Sequence, residues 1–312
     1  YLQHLRLNPT NSGAVYNLAC CYGLLGEPEL AGIYLQRAWN AGFEDIQWAM
    51  EDPDFDLVRD DEGFTSMLDS LHGESIALAE NAGEVLTFYA ESPGECRVKL
   101  PNGYDGSEPV PLVLGIHGYG GSPDLFMGLW EVIGDYGCIY ACPSAPVPFF
   151  LGDRIGYSWF TGEEPDERYI SSVTSRNCVL AALDALEEKY SISEVYLFGY
   201  SQGGGMTCLV GLHAPERFAA LAPFSGWLDM EVLTEEELLA AGDIPVRLVH
   251  GEQDRVVDYG AALEADSILS SVGYDVELFT FQGEHRFSRD GLVSFLDEFL
   301  GAPQPLTVSS EE

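Results

Sequence analysis

From about residue 84 onward, short apolar runs alternate with stretches whose apolar positions recur every three or four residues, the two periods that mark strands and helices. The strand-type runs are Pro111 to His117 (PLVLGIH), Cys138 to Cys142, Glu194 to Phe198, Phe218 to Leu221, Pro245 to His250 and Val276 to Phe281. Between them lie helical patterns, including Asp166 to Tyr190, which carries Ile170, Val173, Leu180, Leu183 and Leu186 on one face. Continuously apolar strands separated by helices predict an α/β fold, a mostly parallel sheet covered by helices on both faces. Two earlier runs, Val85 to Tyr89 and Cys96 to Leu100, have no helix between them and predict an antiparallel hairpin at the sheet's edge.

Residues before about 74 read differently, as short amphipathic helices punctuated by Gly and Pro, with a boundary near Ser75 to Gly83. Leu18, Ala19 and Tyr22 fall on one predicted helix, Gly26 at a turn, and Ala31, Leu35 and Ala38 on the next. That order of large, small and aromatic positions resembles a tetratricopeptide repeat, a helix-turn-helix unit of about 34 residues. On this resemblance Pro9 ends a preceding repeat and Tyr1 to Leu7 is the tail of its second helix, so the region is expected to be truncated at its start. Phe43 stands where the closing proline of a repeat belongs, and Phe43 to Leu71, broken at Asp52-Pro53, reads as a capping element. The resemblance implies a protein partner bound through these helices; a helical appendage that merely packs is the other reading. The expected division is 1–74, tetratricopeptide-like helices; 84–302, the α/β domain; and 303–312, a flexible acidic tail.

Composition narrows the partners. Hydrophobic residues at 46% and charged residues at 21% suit a folded, water-soluble chain. With 51 Asp and Glu against 14 Lys and Arg, the net charge of −37 repels nucleic-acid phosphates and anionic headgroups, so neither is an expected partner. No apolar stretch reaches the roughly 18 residues that a spanning helix needs, and no signal-peptide pattern is present. The seven cysteines are odd in number and mostly sit in apolar runs, which predicts reduced, buried thiols in a cytoplasmic setting. Adjacent Cys20 and Cys21 lack the spacing of a zinc or redox pair, so neither metal nor cofactor is expected. Only Lys99 and Lys189 are lysines, which fits either a high-salt habitat or simply a soluble acidic protein.

The chemistry concentrates in three places. After the strand ending at Phe198, Gly199-Tyr200-Ser201-Gln202-Gly203 fits the G-x-S-x-G elbow, which lifts a nucleophilic serine onto a strained strand-to-helix turn. The acid candidate is Asp254, at the loop apex of HGEQD beyond Pro245 to His250, favoured over Glu252 and Asp258 on the same loop. The base follows by elimination. His4 and His72 lie in the helical part, His117 and His250 end strands, and His213 closes the helix after the elbow. His285, in the loop after the last strand, has the right place in the order serine, acid, histidine. The glycine loop His117-Gly118-Tyr119-Gly120-Gly121 can aim backbone N–H groups at an oxyanion, with Tyr119 as one donor and Gln202, after the nucleophile, as the other. Its spacing fits neither phosphate-binding glycine motif.

From Val85 to Leu300 the chain resembles the α/β-hydrolase superfamily and, within it, the phospholipase/carboxylesterase group, related to dienelactone hydrolases. HGYGG, GYSQGG, HGEQDRVVDY and Tyr157-Ser158-Trp159-Phe160 carry the resemblance, the last being similar to a tryptophan motif beside that group's acyl pocket. Dienelactone hydrolases proper use cysteine where this chain has Ser201, and Glu284 replaces the group's usual glycine before His285. The resemblance implies a serine hydrolase acting on a small-molecule carboxylic ester or acyl-thioester. A peptidase or other acyl hydrolase, or a non-catalytic partner-binding scaffold, are the alternatives. Trp159, Phe160 and Trp227 are candidates to line an apolar acyl pocket, against the plainer reading that they cover the sheet.

Overall fold

The computed structural model describes residues 11–43, 45–82, 92–151, 154–161, 165–240 and 244–303. The chain divides into two compact units, 1–90 and 91–312. Tyr1 to Leu7, Val85 to Tyr89 and almost all of 303–312 lie outside the described residues.

The first unit contains α1 (Ser12–Leu24), α2 (Pro28–Asn40), α3 (Ile46–Glu51) and α4 (Glu62–Ala82). Asn11 caps α1 by accepting the Ala14 N–H at 2.7 Å, Gly26 turns the chain at φ +69°, and Pro28 opens α2 where no N–H is needed. Ala19, Ala31, Leu35 and Ala38 are fully buried, so the small side chains let α1 and α2 approach closely. Phe43, in the place of the missing proline, stacks on Tyr16 with centroids 4.0 Å apart. Asp52 accepts from Tyr16 Oη at 2.5 Å, from the Cys20 thiol at 3.6 Å and from the Asp54 N–H at 2.9 Å. Ligand atoms of Cys20, Asp52 and Asp54 lie within 4.8 Å of one another, a grouping the sequence did not disclose. Burial and then the Asp52 charge push the Cys20 thiol up to about 12. Helix α4 runs through the expected boundary as far as Ala82.

The second unit is built on nine described strands: β1 (Cys96–Lys99), β2 (Val110–Ile116), β3 (Ile139–Pro143), β4 (Val147–Leu151), β5 (Arg154–Ser158), β6 (Ile192–Tyr200), β7 (Ala220–Phe224), β8 (Val246–Gly251) and β9 (Val276–Phe281). Seven form one sheet in the order β1-β3-β2-β6-β7-β8-β9, parallel except where β1 pairs antiparallel with β3. Thus β1 takes the edge position expected of Cys96 to Leu100. Strands β3, β7 and β8 are buried at every position, as a sheet covered on both faces requires.

Helices in this unit are α5 (Pro123–Phe126), α6 (Trp130–Ile133), α7 (Pro165–Lys189), α8 (Gln202–His213), α9 (Glu235–Ala240), α10 (Tyr259–Ser271) and α11 (Arg289–Leu300). Side chains alternate between two cores: Leu112, Leu114 and Ile116 join Val179, Leu183, Met206 and Leu269 on one face. Val113, Tyr140, Phe198 and Phe224 join Leu292, Phe295 and Leu296 on the other.

Two local outcomes differ from the sequence pattern. In α7 the fully buried positions are Ser172, Ser175, Val179, Leu183 and Leu186, whereas Ile170, Val173 and Leu180 are half-buried. The Ser175 hydroxyl satisfies the loop carbonyl of Trp159, which an aliphatic side chain would leave orphaned, whereas the buried Ser172 hydroxyl makes no hydrogen bond among the described residues. The aromatic segment around Phe149 and Phe150, aperiodic in sequence, forms the separate antiparallel hairpin β4–β5.

Candidate active site

Ser201 sits between the end of β6 and the start of α8 at φ 57° and ψ −118°, a left-handed conformation rare outside glycine. The turn is held by the Ser201 N–H, which donates to Phe224 O at 2.8 Å, and by the N–H groups of Gly204 and Gly205, which donate to Ser201 O. A Cβ on Gly203 would fall 2.1 Å from Ile116 O, so α8 can press against β2 only because that residue has no side chain.

The structure brings the other two expected residues to this serine. His285 Nε2 lies 2.9 Å from Ser201 Oγ, and His285 Nδ1 lies 2.7 Å from Asp254 Oδ2. Asp254 follows β8 and is almost wholly enclosed, and its Oδ1 accepts the Val256 and Val257 N–H groups at 2.9 and 3.0 Å. Burial alone would raise its pKa. Hydrogen bonds from His285, Val256 and Val257 outweigh that and hold the carboxyl below its ordinary range, so it is ionised at neutral pH. An ionised partner at Nδ1 assigns the proton there and leaves the Nε2 lone pair facing Ser201 Oγ. The rivals are engaged elsewhere: Glu252 accepts from Thr280 and Gln282, and Asp258 caps α10 through the Gly260 N–H.

Two aromatic or imidazole neighbours were not expected. The Tyr200 ring stacks on His285 with centroids 5.1 Å apart, its hydroxyl pushed up to about 12 by burial and then by the Asp254 charge. Buried His250 places Nε2 3.5 Å from Asp254 Oδ2 and 3.0 Å from Val257 O.

The glycine loop passes directly against the elbow. A Cβ on Gly118 would lie 3.1 Å from Tyr200 O and 3.4 Å from Ser201 Cβ. The next residue is Tyr119, whose exposed ring stacks on Phe149 at 4.8 Å. Gly120 takes φ +68° and donates to Tyr157 O at 2.9 Å; Tyr157 N–H donates to Gly121 O at 3.0 Å, and Arg154 Nη1 to Gly120 O at 2.7 Å. Hairpin β4–β5 therefore clamps the loop from outside the main sheet. Gln202 opens α8, where an N–H has no intrahelical partner.

His117, read in sequence as a strand end, is buried beneath this loop. Its Nδ1 is 2.9 Å from Gly118 O and its Nε2 3.3 Å from the Ala145 N–H. A ring that donates at Nδ1 and accepts at Nε2 is neutral, and burial holds its pKa below the ordinary histidine value.

The expected pocket residues divide. Phe160 and Trp227 are half-buried, with ring centroids 5.9 Å apart. Trp159 is wholly enclosed. Its N–H groups are committed to protein acceptors, so no part of it faces solvent. The sequence could flag its size but not its burial.

Comparison with known proteins follows the same region of the chain. The model of the phospholipase/carboxylesterase family matches residues 105–302. Feruloyl esterase B from Piromyces equi is 27% identical over 176 residues, which is 53% of this chain and 30% of that protein. Acyl-protein thioesterase 1 from Gibberella zeae is 32% identical over 96 residues, 28% of this chain and 39% of that protein. This chain therefore spans well under half the length of these two curated relatives. Among solved structures, esterase PE8 superposes with a TM-score of 0.54 at 27% identity, covering 66% of this chain and 99% of that one. No described helix is long and apolar enough to cross a membrane.

Proposed function

We propose that this chain, which belongs to the phospholipase/carboxylesterase family, hydrolyses carboxylic esters or acyl-thioesters through an acyl-enzyme on Ser201. The observation that carries the reading is the hydrogen-bonded line from Asp254 through His285 to Ser201 Oγ, at 2.7 and 2.9 Å.

His285 takes the Ser201 proton as Oγ attacks the carbonyl carbon, and the Asp254 carboxylate stabilises the imidazolium that results. Negative charge on the carbonyl oxygen is met by the Tyr119 and Gln202 N–H groups and by the N-terminal end of α8. Collapse of the tetrahedral intermediate expels the alcohol or thiol, which receives its proton from His285. Water, deprotonated by the same imidazole, then releases the acid. Phe160 and Trp227 flank the acyl group. The relatives' names, a feruloyl esterase and an acyl-protein thioesterase, support aromatic and aliphatic acyl groups as the two classes to compare.

The test is labelling with a fluorophosphonate probe, peptide mass spectrometry of the adduct, and turnover of p-nitrophenyl esters and acyl-thioesters. Modification at Ser201, lost in His285→Ala, is the expected result. No labelling of the wild-type chain in low or molar salt overturns the reading.

A further inference from the structure

We infer that Trp159 is a positioning residue that fixes the distance between the two oxyanion donors, held in place by the Gln202 side chain. The inference rests on the acyl-transfer reading above and adds to it a function for a residue that cannot touch substrate.

Trp159 commits each of its polar groups to a different element. Its main-chain N–H donates to Gln202 Oε1 at 2.9 Å, at the first residue of α8. Its indole Nε1–H donates to His117 O at 2.8 Å, just beyond β2. Its carbonyl accepts from Ser175 Oγ at 2.5 Å, on α7. His117 lies two residues before Tyr119, and Gln202 is the other proposed donor. One side chain and its own peptide therefore bridge the two segments whose N–H groups must converge on one oxygen.

The Gln202 amide grips this bridge twice. Besides holding the Trp159 N–H, its Nε2 lies 3.0 Å from Ser158 Oγ, and that hydroxyl donates to Phe160 O at 2.6 Å. Gln202 thus contributes its main chain to the oxyanion and its side chain to the strut. Beyond Tyr119 the loop is pinned by the Tyr157 and Arg154 contacts with Gly120 and Gly121, so Tyr119 hangs between two fixed points. The main-chain groups would need partners in any residue; the indole N–H is the one bond that only a tryptophan brings to the His117 carbonyl. Buried N–H groups that would be orphaned by any shift resist sliding, which is what a spacer between donors needs. Donors act at about 2.7–3.1 Å from the oxyanion, and misplacement of about 1 Å costs on the order of 10²-fold in rate.

The experiment uses the full chain with p-nitrophenyl butyrate, an alkyl boronic acid as tetrahedral mimic, and thermal melts. Trp159→Phe keeps most of the ring and removes one N–H; Gln202→Met keeps the length and removes the acceptor. Each is expected to lower kcat by roughly 10²-fold while KM stays within about threefold. Boronate affinity should fall in step with kcat/KM, because both report the tetrahedral state. The double variant should be no worse than about threefold below the poorer single, since both changes release the same strut. If Trp159→Phe fails to fold, Ser175→Ala removes the third bond at lower cost and should lower kcat several-fold with KM unchanged. Wild-type protein that labels and turns over, with variants whose kcat stays within threefold or whose loss appears only in melting temperature, overturns the strut. Failure of the wild-type protein itself to label strikes the acyl-transfer reading instead.

Discussion

Gly199 and Gly203 face each other across the elbow so closely that a methyl group on the first would lie 2.1 Å from the carbonyl oxygen of the second. The two glycines of the motif are thus one steric requirement, and Gly203 meets a second at Ile116 O. Gly203→Ala is expected to destabilise the chain by about 3 kcal/mol through overpacking, a fall of roughly 6–12 °C in melting temperature. Differential scanning calorimetry checks it, and a change under 2 °C contradicts this account of the turn.

The hydrogen-bonded residues should contribute unequally. Ser201→Ala and His285→Ala are expected to lower kcat on the order of 10⁶-fold, and Asp254→Asn about 10⁴-fold, because the asparagine misdirects the imidazole tautomer rather than removing it. A Ser201→Ala protein that keeps more than a tenth of wild-type turnover rules the nucleophile out.

Acid should weaken the fold in two stages. His117 titrates below its unfolded value near 6.5, so its contribution is complete above about pH 6.5 and is lost as pH falls through its depressed folded value. Asp254 is also depressed, from an unfolded value near 3.9, so its contribution persists to lower pH and goes last. Urea unfolding between pH 7.5 and 4 should show stability falling from about pH 6.5 in wild-type protein and a flatter profile in His117→Gln. Equal slopes in the two proteins would leave His117 without this function.

Net charge of −37 predicts a salt response of the opposite sign to that of a chain held by surface ion pairs. Screening of self-repulsion over a Debye length that shrinks from about 10 Å at 0.1 M to about 3 Å at 1 M should raise the melting temperature. A melting temperature that is unchanged or lower in molar sodium chloride removes repulsion as a significant term.

What the sequence disclosed follows from which forces leave a local trace. Buried strands such as Ala220–Phe224 are apolar at every position, and the elbow must carry glycines at fixed offsets, so the sheet and Ser201 were legible. Asp254 and His285 could be assigned because chain order constrains which loop can reach the serine. Hairpin β4–β5 was not legible, because Pro148 and adjacent Phe149 and Phe150 break the two-residue alternation. Ser175 escaped as a core residue for a different reason: a pattern of apolar positions cannot register a hydroxyl buried to satisfy a carbonyl. The burial of Trp159 left no trace either, because an aromatic near a nucleophile looks alike in sequence whether it lines a pocket or fills the wall behind one.

Hairpin β4–β5 shares no strand ladder with the seven-stranded sheet and meets the glycine loop through the bridge between Gly121 and Tyr157, Arg154 on Gly120 and Phe149 on Tyr119. Phe150 near its outer end is 85% exposed. Substitutions along that outer edge alter neither strand register nor either core, so they are open to drift under relaxed selection. Among descendants of this chain, divergence should therefore gather on the hairpin's outer edge, while the elbow and the glycine loop it grips stay the same.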